Sequence, residues 1–343
     1  MLPHNTSSVS IYEKNVPLYM IIFSQFVNPV FTFCGIIGNS WILYTLLFQN
    51  VRISKTTKLY YCIIGVGDLS FETAGLMWGV VCDSLWIWSG GTLSFCFDSL
   101  SLLSCTVIRL WYYLSDLVSN YSLVALSIER LIAVCWPLHA KSILTRKVTF
   151  LLLFSLLIPA FVYYTIIISF SSSVVPHKRV VPYSCRVNDY NIFGYLFNVS
   201  MPIVISGIHT IVEFFVSLMI FIKLYFAQNK SHSELNSQVK TRSKDLSATL
   251  TLLSLCIINI LIYGTCLVSY SISLISSYFI KVSAEFYSTI YAIFLIFLSS
   301  LSFSHGVNIF VYLILIPSFR ESALCKNKRL KASKFSSNTA QAQ

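Results

Sequence analysis

Charged residues are scarce in this sequence. Asp, Glu, Lys and Arg together make up 11% of its 343 residues, whereas apolar residues make up 56%. An ordinary soluble domain carries about 25% charged residues. A soluble globular protein of one or two domains is therefore excluded, and the composition predicts a protein that crosses a membrane several times.

Motifs for catalysis and for metal binding are also lacking. The ten cysteines contain no Cys-x-x-Cys pair and there are only six histidines, so we expect no metal site built from these residues. Neither a nucleophile elbow, a zinc motif nor a phosphate-binding loop occurs, and we expect neither enzyme activity nor catalytic residues. The sequence also has no internal repeat, which counts against many secondary transporters.

Seven apolar segments are long enough to cross a bilayer, which takes ~20 mostly apolar residues per helix. We predict spans at residues 19–48, 58–82, 102–135, 148–170, 201–226, 246–270 and 286–316. The predicted fold is thus an all-α membrane protein, a bundle of seven transmembrane helices over residues 19–316. Residues 1–18 form a polar tail without the features of a cleavable signal peptide. Residues 317–325 form a short amphipathic helix parallel to the membrane, and residues 326–343 a basic tail.

The basic residues fall mainly in alternate connections between these segments. Sixteen lie on one side of the membrane: Arg52, Lys55, Lys58, Lys141, Arg146, Lys147, Lys230, Lys240, Arg242, Lys244, Arg320, Lys326, Lys328, Arg329, Lys331 and Lys334. Five lie on the other: Lys14, Lys178, Arg179, Arg186 and Lys281. Because Lys and Arg are enriched in cytoplasmic loops, we predict an extracellular N-terminus and a cytosolic C-terminus. The net charge of +11 does not indicate binding to nucleic acid, because the basic residues are spread over these connections and do not form one surface.

An adjacent acid and base, Glu129 and Arg130, end the long third segment. A short apolar gap and a Trp-Pro-Leu sequence at residues 136–138 follow. Charges inside spans usually mark function, although an arginine at this depth can also extend along the helix to the membrane surface. The pattern resembles the cytoplasmic end of the third span in rhodopsin-like G-protein-coupled receptors.

Further residues carry the same resemblance over about residues 27–325. Gly38-Asn39 matches a Gly-Asn pair of the first span, and Asp68 matches an acid in the middle of the second. In the seventh span, Asn308 and Tyr312 match an Asn-Pro-x-x-Tyr signature in which Ile309 replaces the proline. The resemblance implies a receptor of the plasma membrane that activates a heterotrimeric G protein.

A disulfide bond is also implied by the resemblance. In this family a cysteine 25 residues before the motif arginine bonds to one in the second extracellular loop. Cys105 stands at that distance from Arg130, and Cys185 lies in the loop between spans four and five. An oxidising exterior permits the bond; two unpaired thiols are the alternative.

The resemblance implies a polar cluster and a switch inside the bundle. Asp68 is expected to lie with Asn39, Ser119 and Asn308, in a cluster that either holds a sodium ion or forms a hydrogen-bond network without an ion. Arg130 is expected to be held by Glu129 at rest and to be released towards a G protein, with Asn308 and Tyr312 as further parts of the switch.

Several family features are absent. The fourth span lacks the family's tryptophan, the fifth lacks a proline in its middle, and Leu255–Asn259 stands where Cys-Trp-x-Pro belongs. We also find no convincing acidic partner for Arg130 at the base of the sixth span, where Glu234 and Asp245 are nearest, and expect no strong ionic latch. This predicts a divergent family member with an altered pivot in the sixth span.

Two ligand classes can be set aside. An amine receptor of this family has Asp eighteen residues before the motif arginine, and because this chain has Tyr112 there, we expect no amine ligand. An opsin binds retinal through a lysine in the seventh span, and since residues 286–316 contain no lysine, a photoreceptor is excluded. The ligand-pocket candidates are the polar residues Glu72, Arg109, Tyr112, Tyr113, Asp116, Glu213 and Tyr263. Asp116 and Glu213 suit a cationic group and Arg109 an anionic one, unless they pair within the bundle.

Residues 128–142 look most like the same stretch of invertebrate FMRFamide-like neuropeptide receptors, which favours a neuropeptide ligand. A chemosensory receptor for small molecules is the alternative within the family. A transporter with Asp68, Asp116 and Glu213 as an ion path is the alternative outside it. Asn5 and Asn198 lie in glycosylation sequons. Cys325 is a candidate for palmitoylation, and hence for contact with membrane lipid, or else a free thiol.

Overall fold

The computed structural model describes residues 26–84, 89, 96–176, 183–187, 191–201, 207–231, 239–278 and 300–324, and the single positions 286, 289, 290, 293, 296 and 297. Its helices are α1 (Asn28–Phe48), α2 (Lys55–Gly75), α3 (Leu102–Cys135), α4 (Pro137–Ile143), α5 (Arg146–Ser171), α6 (Ile192–Met201), α7 (Ile208–Ser231), α8 (Val239–Tyr278), α9 (Leu301–Gly306), α10 (Asn308–Leu315) and α11 (Pro317–Ala323). A π-helical segment, Leu76–Ser84, continues α2, and a 3-10 helix, Phe97–Ser99, precedes α3.

Serine side chains set the starts of α2 and α3. Ser54 Oγ accepts a hydrogen bond from the backbone nitrogen of Thr57 at 3.1 Å. Ser101 and Ser104 cap each other, since each side-chain oxygen accepts from the other's backbone nitrogen at 3.0 and 2.8 Å. These bonds satisfy N–H groups that the first turn of a helix leaves without partners.

A proline ends α3 next to the acid–arginine pair. The helix stops at Cys135, and Pro137 opens the short helix α4. Between them Trp136 has φ −130° and ψ 64°, as expected for a residue whose helical conformation is disfavoured by a following proline. The predicted end of the third span is therefore where the structure has it.

Five helices of the described residues are long and apolar enough to cross a membrane, and α9 and α10 with α11 make a sixth if that bent pair is one span. Helix α2 lies in the predicted second span but is not among these helices. Every stretch of 18 residues within it contains three charged residues, Lys58, Asp68 and Glu72. Eight residues of the seventh predicted span, all before residue 300, are outside the described ranges. The helical class is as predicted.

The short helix α11 follows the last span. Helix α10 ends at Leu315, Pro317 opens α11, and the chain bends by 102° between them. If α10 runs across the membrane, this angle places the axis of α11 nearly in the plane of the membrane, as predicted for the eighth helix of the bundle. The helix ends at Ala323, and the tails at residues 1–18 and 326–343 lie outside the described residues.

Within the described residues, one β-hairpin departs from the predicted all-α class. Strands β1 (Ser172–Pro176) and β2 (Tyr183–Val187) pair antiparallel, with Val174 opposite Cys185. Cys185 bonds to Cys105 near the start of α3, with an S–S distance of 1.99 Å and 5.4 Å between the Cα atoms. The predicted disulfide is thus confirmed, and it fastens the hairpin to α3. We call this the disulfide end of the bundle and the opposite end, at Glu129 and Arg130, the Arg130 end.

Helix α3 lies at the centre of the bundle, packed against α2, α5, α7 and α8. Its approach to α2 requires a glycine, because a Cβ atom at Gly67 would lie 2.9 Å from the backbone nitrogen of Ser119. The close contact brings the next residue, Asp68, beside Ser119. Both residues are buried, and they begin the polar site described next.

Candidate functional site

Asp68 is a fully buried carboxylate in the middle of α2. It accepts hydrogen bonds from Ser119 on α3 and Asn308 on α10, and its Oδ1 lies 2.7 Å from Nδ1 of His305 on α9. Ser119 and Asn308 are the partners that the family resemblance predicted. His305 is an addition.

The ring of His305 joins Asp68 to a second buried acid. Its Nε2 lies 3.1 Å from Oδ1 of Asp116 on α3, and the Tyr263 hydroxyl donates to the same oxygen at 2.5 Å. A carboxylate only accepts hydrogen bonds, and a neutral imidazole has a single N–H. Two carboxylates on one ring therefore suit the imidazolium, which has a hydrogen on each nitrogen and forms an ion pair with each acid.

Amide and hydroxyl groups extend this centre across further helices. Asn120 Nδ2 donates to Asp116 at 2.9 Å, Asn259 on α8 donates to Asn120 at 3.3 Å, and Ser304 donates to Asn259 at 2.5 Å. The buried polar network comprises Asn39, Asp68, Asp116, Ser119, Asn120, Asn259, Tyr263, Ser304, His305 and Asn308. It links α1, α2, α3, α8, α9 and α10.

Asn39 lies at the edge of this network rather than at its acid. Its Nδ2 donates to the backbone oxygen of His305 at 3.0 Å, and no hydrogen bond to Asp68 is found among the described residues. Asn39 thus holds the backbone of α9 in place. Of the predicted four-residue cluster, Ser119 and Asn308 each bond to Asp68, whereas Asn39 bonds to the backbone of His305 instead.

The sodium ion that the resemblance implied does not fit this arrangement. The ring of His305 lies against Oδ1 of Asp68, and both carboxylate oxygens already accept hydrogen bonds. The cavity that Asp68, Asn259 and Ser304 help to line measures about 10 Å³, close to the least that one water molecule needs. Of the two alternatives, a network without an ion matches the geometry.

Five of the seven ligand-pocket candidates fall into two groups. Asp116 and Tyr263 belong to the polar network, where each already has partners. The second group lies nearer the disulfide end and contains Arg109, Tyr112 and Tyr113. There Arg109 is 5% exposed, its guanidinium lies 5.2 Å from the Phe197 ring, and its Nε and Nη1 have no hydrogen-bond partner in the described structure.

Aromatic rings surround this second group. Tyr112 packs against the rings of Phe71 at 4.3 Å and Trp78 at 4.9 Å, and Tyr113 packs edge-on to Phe197 at 5.6 Å. The arrangement makes an aromatic wall with one buried cation in it. Such a surface can hold an apolar ligand body and an anionic group together.

Two further acids are buried without a normal hydrogen bond. Glu72, one helical turn from Asp68, lies near the Thr32 and Ser302 hydroxyls, and Glu213 on α7 lies near Asn259. Neither carboxyl group makes a hydrogen bond of regular geometry within the described residues. Buried polar groups without partners are rare in proteins and call for an explanation.

At the Arg130 end the predicted pair is not formed. Arg130 donates to the hydroxyl of Thr57 at the start of α2, and Glu129 accepts from Thr149 on α5 at 3.4 Å. No ion pair within 4.0 Å joins Glu129 and Arg130 in the part of the chain that the structure describes. The structure therefore gives Arg130 a different partner, because adjacent helix residues point in different directions. That Glu129 holds Arg130 at rest stays a prediction.

Tyr312 lies between this end and the polar network. Its ring is 4.8 Å from that of Tyr61 on α2 and 5.7 Å from that of Phe319 on α11. Its hydroxyl is buried and has no hydrogen-bond partner in the described ranges. The side chains of the acids weighed as latch partners, Glu234 and Asp245, lie outside the described residues.

Asp98 is a buried acid outside the spans, in the 3-10 helix before α3. It accepts from the Ser99 hydroxyl at 3.1 Å and is 5% exposed. Burial raises the pKa of its carboxyl group above the ordinary value, and the Ser99 hydroxyl and the Arg109 charge only partly offset that effect. The sequence analysis did not select this residue.

Sequence reasoning also missed His305, Asn120, Asn259 and Ser304. A signal was present, since Ser304, His305 and Asn308 are polar residues at helical spacing in an otherwise apolar segment. Of the predicted modification sites, Asn5, Cys325 and the side chain of Asn198, a residue of α6, lie outside the described residues.

Comparison with known proteins places these features in a family. A model described as "7 transmembrane receptor (rhodopsin family)" matches residues 38–312. Galanin receptor type 2 of Mus musculus is 28% identical over 113 residues, which cover 33% of this chain and 28% of that receptor. The RYamide receptor of Drosophila melanogaster is 29% identical over 137 residues, or 39% of this chain and 26% of that receptor. The matched stretches thus span about a quarter of these relatives' own length.

Proposed function

Because the chain belongs to the rhodopsin family of seven-transmembrane receptors, we propose that it transmits the binding of an extracellular neuropeptide to a heterotrimeric G protein. Both relatives described above are named for such ligands, galanin and RYamide. The receptor works at the plasma membrane, with the disulfide end outside and the Arg130 end in the cytosol, an orientation supported by the sixteen basic residues on one side against five on the other.

The observation that carries this proposal is the buried polar network. It joins six helices between the aromatic wall at one end and Arg130 at the other. Networks of this kind have few alternative arrangements, so a shift at one end changes the whole set. The network is therefore the element through which ligand binding reaches the G-protein face.

The ligand binds at the disulfide end. The tethered hairpin covers this end, and Arg109, Tyr112 and Tyr113 present aromatic and cationic surface there. Glu72 and Glu213 lie deeper and lack regular hydrogen bonds among the described residues. A peptide with an acidic group near Arg109 suits this surface, because the ligand would supply a partner for a buried guanidinium.

The G protein binds at the Arg130 end. In this structure Arg130 is held by Thr57, and activation would exchange this partner for the G protein. The basic connections on the same side add a positive surface, and palmitoylation of Cys325 would anchor α11 to membrane lipid.

The test is G-protein activation in transfected cells exposed to pooled amidated neuropeptides and, separately, to biogenic amines. We expect a response to one peptide pool that Arg130→Ala abolishes. Arg52→Ala removes an exposed cation on the same side and should leave the response intact at equal surface expression.

Other outcomes would contradict parts of the proposal. A response to amines would show that the aromatic pocket at Tyr112 accepts an ammonium group. Silence to every peptide pool together with a response to small environmental molecules would assign the receptor to chemosensation. Substrate flux that survives Arg130→Ala would assign it to transport.

A further inference from the structure

The ring of His305 stands between two carboxylates at the centre of the bundle, where the family implies a sodium ion. We propose that His305 permanently takes the place of this ion, so that the receptor does not bind sodium at Asp68. The inference concerns an ion site and holds whatever the ligand proves to be.

The first argument is occupancy. Nδ1 of His305 lies 2.7 Å from Asp68 and Nε2 lies 3.1 Å from Asp116, so the ring fills the space between the two acids. Phe71 packs on the ring with centroids 4.1 Å apart, and Asn39 holds the backbone oxygen of His305 at 3.0 Å. A ring packed between two acids and Phe71, on a backbone held by Asn39, cannot swing away to admit an ion without breaking these contacts.

The second argument counts lone pairs on Asp68. Its two oxygens have about four acceptor positions. Ser119 and His305 occupy Oδ1, and Asn308 occupies Oδ2. Three of the four positions are thus taken. A metal ion would have only the last one, on Oδ2, unless it displaced N–H or O–H donors that are already in place.

The third argument is charge. Asp68 and Asp116 are 0% and 2% exposed, and two buried carboxylates require a nearby cation. An imidazolium with a hydrogen on each nitrogen supplies one positive charge to both, the same charge that a sodium ion carries. Unlike an ion, it is covalently part of α9 and cannot leave the bundle.

The remaining space is small. The adjoining cavity, lined in part by Asn120, Leu123 and Leu255, measures about 10 Å³. That volume is near the minimum for one water molecule, so a sodium ion there would keep almost no water of its own. Its oxygen ligands would have to come from Asp68 and the neighbouring side chains, which already hold the hydrogen bonds described above.

The experiment measures the melting temperature of the purified full-length receptor in sodium chloride and in choline chloride at equal concentration. Wild-type receptor should melt at the same temperature in both salts. His305→Ser removes the ring and opens the site, and a bound ion then stabilises the folded state. We expect a sodium-specific rise on the order of 2–4 °C, which Asp68→Asn in the same background should abolish.

A matched control is His209→Ser. This removes another buried imidazole, which is 1% exposed and packs edge-on to Tyr263 at 4.7 Å. It should not create a response to sodium. A second opened variant, His305→Asn, serves if the serine variant does not fold.

Direct binding of radioactive sodium to wild type and to Asp68→Asn gives an independent readout that needs no His305 variant. Equal binding by the two proteins supports the proposal. Sodium binding or sodium-specific stabilisation of wild type that Asp68→Asn removes would overturn it. A folded His305→Ser receptor that gains no sodium response would also overturn it, because the ring would not be what excludes the ion.

Discussion

Two regions of the bundle treat buried charge in opposite ways. In the polar network, Asp68 and Asp116 are surrounded by donors and share the ring of His305. Nearer the aromatic wall, Glu72 and Arg109 are just as buried, yet their carboxyl oxygens, Nε and Nη1 make no regular hydrogen bond within the described residues.

Under the proposed function, the two regions have different roles. A network with all its partners resists rearrangement and defines one packing of the helices. A buried group without a partner costs free energy that a ligand can recover by supplying that partner. The first region therefore suits the transmission of a signal and the second its reception.

The strongest way to break this comparison is to remove one acid from each region. Asp116→Ala leaves His305, Tyr263 and Asn120 without their shared acceptor, and should lower the free energy of unfolding by about 3–5 kcal/mol. Glu72→Gln replaces a carboxyl group that makes no regular hydrogen bond among the described residues with an amide of the same shape. It should change the free energy of unfolding by less than about 1 kcal/mol or raise it. Thermal unfolding of the purified receptors measures both. Equal losses would show that the two regions do not differ.

The next prediction tests whether the disulfide end depends on its covalent tether. Cys105→Ala or Cys185→Ala frees the hairpin from α3 and should cost about 2–5 kcal/mol, seen as reduced surface expression. Cys34→Ala removes an exposed free cysteine and should have no such effect. Normal surface levels and signalling of both bridge mutants would show that the hairpin holds its place without the bond.

A smaller effect is expected at the Arg130 end, which contains neither a dense network nor a covalent bond among its described residues. Thr57→Val keeps the shape of the side chain but removes the acceptor for Arg130. Losing a contact of about 1 kcal/mol should favour the released state roughly fivefold, measured as higher basal G-protein activity. Thr149→Val removes the partner of Glu129 instead, and an equal rise in that variant would argue against a specific role for Thr57.

The smallest effect concerns Asp98, whose pKa is raised by burial from the ordinary value of 3.8. Between 3.8 and the raised value, the folded receptor holds more protons than the unfolded one, so its stability falls as the pH rises through that window. Asp98→Asn should remove this pH dependence and slightly raise the melting temperature at neutral pH. The measurement is the melting temperature of both proteins at a series of acidic pH values. The same pH dependence in mutant and wild type would contradict the prediction.

Much of the fold follows from local composition. The span ends at Cys135 and at Pro317 were predictable because proline cannot continue a helix, and the family resemblance correctly paired Cys105 with Cys185. The hairpin was not predictable, since short strands in a loop leave little periodicity to detect. Asp116 and Tyr263 were assigned to a ligand pocket from their positions on single helices. Their partners on other helices, such as His305, cannot be identified from sequence alone.

The sequence by itself determined that this chain is a helical membrane protein with an acid–arginine pair at the end of its third span. Apolar length and charge position are properties of single segments, and they can be read without knowing the neighbours. Only the tertiary structure decided the partners of the buried charges. His305 becomes the bridge between Asp68 and Asp116 because three helices distant in sequence meet at one point. Arg130 meets Thr57 rather than Glu129 for the same reason, since the direction of a side chain from its helix, and not its place in the sequence, sets what it can reach.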